Sequence, residues 1–268
     1  MPTGWQPLGG DRGEGLVLAL DFEAVGRPEA CFADLAPLLE PPQTMWMAQQ
    51  PAAADVTGPP GPAYLAHWRG GLPEDGTGIR AVLGYCTGAV FAAALAGQVA
   101  SRQGTPPATV LLDPEPATPA TMRKQFDHAL RGLTAMVPGN ELSWVQGALD
   151  QASDSGDLPS LGTALSALYE KASAPAFERV GLKPDYQAGL IASFRSLMSY
   201  LAAAGDLGAA SGDPGGDAGR GWASATAIIS ATAPDPATGA GRRISVDADH
   251  AGLLRSPAAA RLVSGLLG

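Results

Sequence analysis

The chain has 268 residues, 46% of them hydrophobic but only 6% aromatic, so a sizeable core is available and it must rest on Ala, Leu and Val. A formal net charge of −9 argues against nucleic-acid binding, which needs a basic surface, and two cysteines, Cys31 and Cys86, are too few for a disulfide framework, although one bridge between them stays open. No run approaches the ~20 apolar residues of a membrane span, and Met1-Pro2-Thr3-Gly4-Trp5 lacks the basic and apolar regions of a secretory signal, so a soluble, cytoplasmic protein is expected.

Residues 15–20 form a continuous apolar run that predicts a buried parallel strand ending at Asp21, and a loop through Pro28 leads to a helix near 30–39. A short strand at 45–47, a Pro/Ala/Gly-rich loop at 50–62 and a helix at 63–69 follow. Residues 79–84 read as a strand, 89–103 as an Ala-rich helix, and 108–112 as a second buried strand stopped by Asp113-Pro114-Glu115-Pro116. Strand, helix and strand at this spacing make a βαβ unit, which implies a parallel sheet with a right-handed crossover. From Thr121 to Leu207 the pattern is helical throughout; Leu190, Phe194, Leu197 and Leu201 keep to one helical face. The Gly, Asp and Ala tract at 205–221 predicts a mobile segment. Strands return at 224–232 and 243–246, before an amphipathic helix at 257–267. The expected organisation is an α/β sheet core at 1–120 and 221–268, interrupted by a helical insertion at 121–220.

Gly84-Tyr85-Cys86-Thr87-Gly88 lies between a predicted strand and a predicted helix, the context in which a G-x-S-x-G-type elbow carries a nucleophile. The turn is tight enough to need small flanking residues, and it sets the nucleophile over the positive end of the following helix, which favours a thiolate and an oxyanion. Free cysteine is often an inert core residue, and Cys31, near a helix start without flanking glycines, is read that way.

The general base comes from three histidines. His67 falls in a predicted surface helix and His128 inside the insertion. His250 follows the last strand, where it can reach a nucleophile at the sheet edge. Two aspartates compete to orient it. Asp113 ends the strand beside the nucleophile's own and is stiffened by Pro114 and Pro116; Asp235 follows the later strand. Asp113 is preferred, with Asp235 as the alternative, and loop capping is the ordinary role of either.

Taken together, the segment from Arg80 to Pro116 resembles the thioesterase domains that release products from polyketide synthases and nonribosomal peptide synthetases. Its order of elbow, helix, short loop, strand and acid is the family's, and Asp249-His250-Ala251-Gly252-Leu253-Leu254 adds to the likeness. The resemblance implies an α/β-hydrolase fold with a helical lid, a Cys86-His250-Asp113 triad, and an oxyanion hole from the Thr87 N–H plus one N–H of Phe22, Glu23, Ala24 or Val25. It also implies an enzyme acting on an acyl, polyketide or peptidyl chain borne on the phosphopantetheine of a carrier protein; since the chain begins at its own methionine and lacks a carrier domain, a free-standing enzyme is expected. No cofactor, metal or membrane partner is expected, since neither a zinc-ligand spacing nor a phosphate loop appears. The family usually has serine where this chain has Cys86. A thioester acyl-enzyme would retain its transfer energy, so cyclisation or acyl transfer is expected as much as hydrolysis. The elbow is also similar to that of dienelactone hydrolases, which carry Gly-Tyr-Cys-x-Gly but lack a large helical insertion; a non-catalytic acyl-binding relative is a third reading.

Overall fold

The computed structural model describes residues 3–9, 15–22, 29–51, 60–74, 77–134, 143–153, 157–210, 217–233 and 239–268. Its centre is a seven-stranded sheet of order β1-β3-β2-β4-β5-β6-β7. The strands are β1 (Trp5–Leu8), β2 (Leu16–Leu20), β3 (Thr44–Ala48), β4 (Ile79–Tyr85), β5 (Ala108–Leu112), β6 (Thr226–Ser230) and β7 (Arg242–Val246). All neighbouring strands are parallel except β1, which pairs antiparallel with β3.

Both faces of the sheet are covered, which is why β2 reads as unbroken apolar sequence rather than an alternation. Its Leu16, Leu18 and Leu20 face one layer, built on α2 (Pro60–Gly70), α3 (Gly88–Gln103) and the C-terminal half of α7 (Pro184–Ala210). Val17 and Ala19 face the other layer, where α1 (Phe32–Leu35) and α9 (Pro257–Leu267) pack. The alanines of α3 let it lie close to the sheet, and a Cβ on Gly84 of β4 would fall 2.6 Å from Ala89 Cα.

Between β5 and β6 run α4 (Pro119–Thr134), α5 (Ser143–Ser153), α6 (Leu158–Arg179), α7 and α8 (Asp217–Ser224). Met122, Phe126, Leu165, Tyr169, Phe194 and Met198 belong to a hydrophobic cluster of their own over the sheet edge. Helix α7 joins the two clusters: Phe194 and Leu201 face this one, while Tyr200, Ala203 and Leu207 pack on the sheet.

Two local readings of the sequence are revised. Strand β1 is not among the strands expected from the sequence; its Pro7 is tolerated because β1 is an edge strand. Residues 205–210 continue α7 and 217–224 form α8, so both ends of the tract expected to be mobile are helical. Its glycines serve close packing: a Cβ on Gly205 would lie 2.0 Å from Leu158 Cδ1, and one on Gly221 would lie 1.9 Å from the Ala93 carbonyl oxygen on α3. Both cysteines are free thiols. Among the described residues, no helix is long and apolar enough to cross a membrane.

Candidate active site

The C-terminal ends of β4 and β5 carry two strained residues. Among the described residues, the non-glycine positions with positive φ are Cys86, at 52°, and Asp113, at 44°. Side chains other than glycine enter this region at a cost of about 1–3 kcal/mol, and such strain concentrates at functional sites. At Cys86 it follows from the abrupt passage from β4 into α3. The Cys86 N–H still donates to the Leu112 carbonyl at 2.9 Å, as a continuing strand would, while the Cys86 carbonyl already accepts from the Ala89 N–H at 3.1 Å, as a helix would. Gly88 makes the turn possible, because a Cβ there would lie 2.1 Å from the Leu20 carbonyl oxygen.

Asp113 is shielded from solvent, and both its carboxylate oxygens are used. Oδ1 accepts from the Ser230 N–H at 2.7 Å, and Oδ2 meets His250 Nδ1 at 2.8 Å. A carboxylate can only accept here, so Nδ1 carries the proton and Nε2 is left as the basic nitrogen. The His250 loop is held from two further sides. Its N–H donates to Thr232 Oγ1 at 2.8 Å, its carbonyl accepts from the Tyr85 hydroxyl at 2.6 Å, and the Tyr85 ring stacks on the imidazole at 5.1 Å between centroids. Tyr85 and Thr232 were not singled out in the sequence; Tyr85 adjoins the nucleophile position, which is the only local signal it gave.

Cys86 and His250 open into one cavity of about 330 Å³ between the sheet edge and the helices above it. One wall is apolar, with Leu190, Phe194, Leu197 and Leu201 of α7, and the facing wall is polar, with Lys124, His128 and Arg131 of α4. His128 therefore lies at the cavity, while His67 is half-buried on α2 near Gly4 and does not line it.

The thiol's surroundings differ from expectation. Sγ donates to Glu115 Oε2 at 3.4 Å and lies 4.0 Å from Thr87 Oγ1; it is not hydrogen-bonded to His250. Burial pushes the Cys86 thiol far above its ordinary range, and the charges of Glu115 and of Asp21, at the end of β2, push it further. A helix N-terminus contributes about 1 kcal/mol to a nearby anion, less than the penalty of ionising a desolvated thiol between two carboxylates. Burial and the two carboxylates thus oppose the thiolate that the helix terminus favours.

Of the expected oxyanion donors, Thr87 follows Cys86 at the start of α3, and the Phe22 N–H is engaged by Asp21 Oδ1 at 2.7 Å. Glu23, Ala24, Val25 and the alternative acid Asp235 lie outside the described residues. No group of His, Cys, Asp and Glu able to hold a metal ion occurs among the described residues.

No protein-family model matches the chain, and no curated protein does. Solved structures do resemble it. An acetylester hydrolase from Corynebacterium glutamicum is 11% identical, with a TM-score of 0.50, over 98% of this chain and 88% of that one. The fold is that of the α/β-hydrolases. Other structural neighbours are the Vlm2 thioesterase domain bound with a dodecadepsipeptide (18% identity, TM-score 0.46, 98% of this chain and 96% of that one) and the NocB thioesterase domain in covalent complex with a fluorophosphonate nocardicin G analog (16%, 0.48, 96% of each). In α/β-hydrolases a sharp strand-to-helix turn carries the nucleophile; the corresponding turn here, between β4 and α3, holds Cys86.

Proposed function

We propose that the chain is an acyl-transferring hydrolase of the thioesterase type in which Cys86 is the nucleophile, His250 the general base and Asp113 the acid that orients His250. One observation carries this reading: a strained cysteine at the end of β4 opens into the same cavity as a histidine whose Nδ1 is held at 2.8 Å by a solvent-shielded aspartate at the end of β5. The thiol proton passes to His250 Nε2 as Sγ bonds to the acyl carbonyl carbon, and the resulting imidazolium is stabilised by Asp113. The Thr87 N–H, at the entry to α3, holds the oxyanion. Collapse expels the pantetheine sulfur, which takes the proton from His250. Water, an amine or a hydroxyl then attacks the thioester acyl-enzyme, with His250 accepting the attacking group's proton and returning it to Sγ. The substrate in this reading is an acyl, polyketide or peptidyl chain on a carrier protein's phosphopantetheine, lying along the apolar α7 wall.

The test is intact-protein mass spectrometry after incubation with acyl-pantetheine thioesters. The native chain gains one acyl mass and Cys86→Ala gains none. An acyl adduct of equal yield on Cys86→Ala overturns the assignment of the nucleophile. Faster turnover of small enol-lactones than of pantetheine thioesters would replace it with a dienelactone-hydrolase-like reading.

A further inference from the structure

Glu115 is the residue at this site that the proposed triad does not use. It is half-buried, its side chain 14% exposed, and one carboxylate oxygen points at the thiol. Placing a negative charge beside a group that must become negative in order to react opposes that reaction, so the arrangement is not explained by acylation itself.

Its position is nevertheless tightly specified. Pro114 and Pro116 flank it, fixing the backbone on either side and restricting Glu115 to extended conformations. The Glu115 N–H donates to the Cys86 carbonyl at 3.2 Å, so the two residues are tied by backbone as well as by side chain. The second carboxylate oxygen, Oε1, lies 3.7 Å from Lys124 Nζ on α4. The loop and α4 also form one piece: Thr121 Oγ1 donates to the Pro116 carbonyl at 3.0 Å, and the Thr121 N–H donates to Thr118 Oγ1 at 3.1 Å. The Glu115 backbone therefore stays with Cys86, while its side chain is in reach of α4.

We propose that Glu115 is a positioning residue that latches Cys86 by its S–H proton, and that Lys124 makes this latch part of the lid helix α4. In the closed latch the proton is presented to Glu115 rather than to His250, and the nucleophile is unreactive. Displacement of Glu115, as a substrate enters between α4 and the sheet edge, lets the side chain turn its S–H toward His250. The lid thus couples occupancy of the cavity to arming of the thiol, and the empty enzyme is protected from adventitious alkylation and oxidation. This inference rests on Cys86 being the nucleophile.

The other charged or titratable groups lining the cavity are Asp21 just after β2, His128 and Arg131 from α4, His250 after β7, Glu29, and the phenols of Tyr85, Tyr169 and Tyr200. Asp21 acts in the same direction as Glu115, so removing Glu115 alone leaves part of the effect in place.

The experiment is the pH dependence of iodoacetamide alkylation, followed by peptide mass spectrometry on the full chain, with half-exposed Cys31 as the internal reference in every sample. Glu115→Gln removes the like charge, so the alkylation midpoint at Cys86 moves to lower pH and, below that midpoint, its rate rises about tenfold. Glu115→Asp keeps the charge but withdraws it from Sγ, giving a smaller shift of the same sign and a second reading if the glutamine variant folds poorly. Lys124→Gln removes the cation that offsets Glu115, so the midpoint moves to higher pH, and high salt diminishes the difference. A midpoint unchanged or raised in both Glu115 variants overturns the latch, and no change in Lys124→Gln overturns its coupling to the lid. Alkylation needs no acyl substrate, so these outcomes are separate from failure of the acyl-enzyme reading, which is registered by acyl loading of Cys86→Ala.

Discussion

Cys31 and Cys86 each stand at the entry to a helix, but the chain arrives at the two helices in different ways. Cys31 is the N-cap of α1, a four-residue helix, with an unstrained extended backbone at φ −123°. Its N–H donates to the Asp34 carboxylate at 2.9 Å, and Asp34 pairs with Arg255, so the surroundings of Cys31 fasten α1 to the turn before α9. Cys86 leads into a 16-residue helix through a left-handed residue, between two glycines whose neighbours leave no room for a Cβ. A cavity opens beside it, with His250 in that cavity's wall and Asp113 bonded to the imidazole from behind. A helix N-terminus alone does not make a reactive cysteine. What separates the two is backbone strain at Cys86 together with groups brought from distant parts of the chain.

The largest expected effect comes from taking away the acid on the Cys86 side of this comparison. Asp113→Asn should lower turnover of a pantetheine thioester by about 10⁴, because the amide lets His250 adopt the wrong tautomer. Its Oδ1 would still accept from the Ser230 N–H, so the fold should survive, and circular dichroism checks that. A variant with near-native turnover would show that Asp113 only braces the β5–β6 edge and would move the acid's role to Asp235.

A smaller effect tests the elbow's geometry. Gly88→Ala places a methyl against the Leu20 carbonyl oxygen, backbone against side chain with no flexible atom to yield. Overpacking of this kind costs about 1–3 kcal/mol, readable as a shift in the denaturant midpoint. Acyl loading should fall with it, because Cys86 is displaced from His250. Unchanged stability would mean that the β4–α3 turn is looser than the contacts imply.

Much of this architecture is legible in the sequence, for identifiable reasons. Strands β2, β4 and β5 are buried on both faces, so their apolar runs stand out from any context. Helices α3 and α9 are bounded by clear signals: Gly104 closes α3 in a left-handed conformation, and Ser256 with Pro257 opens α9. The glycines at 205 and 221 mislead, because a glycine that permits close helix packing is indistinguishable in sequence from one that permits motion. At the site, the elbow is a local motif and can be read locally. The contact between Glu115 and Cys86 has no such signature: Glu115 follows Asp113 in what reads as a plain Pro-rich loop, and its meaning arises only once β5 lies beside β4. The same holds for Tyr85, whose hydroxyl holds a loop far along the chain. The helix terminus that favours a thiolate is visible in sequence, whereas the burial and the carboxylates of Asp21 and Glu115 that oppose it are not.

The smallest expected effect lies at the other cysteine. Cys31→Ser leaves the backbone N–H that binds Asp34 untouched and changes only a half-exposed side-chain atom. Serine is a better N-cap than cysteine because its hydroxyl can accept from the first-turn N–H groups, including that of Asp34, so stability should stay level or rise by up to about 1 kcal/mol. Acyl loading and its pH profile should not move, since nothing from α1 enters the cavity wall that holds Cys86. Denaturant unfolding and acyl mass gain, measured on the same preparation, test both halves of this statement. A Cys31→Ser chain that folds normally but loads poorly would mean that the segment joining β2 to α1 transmits to the nucleophile. The difference between the two cysteines would then be one of degree, with both helix entries belonging to the site.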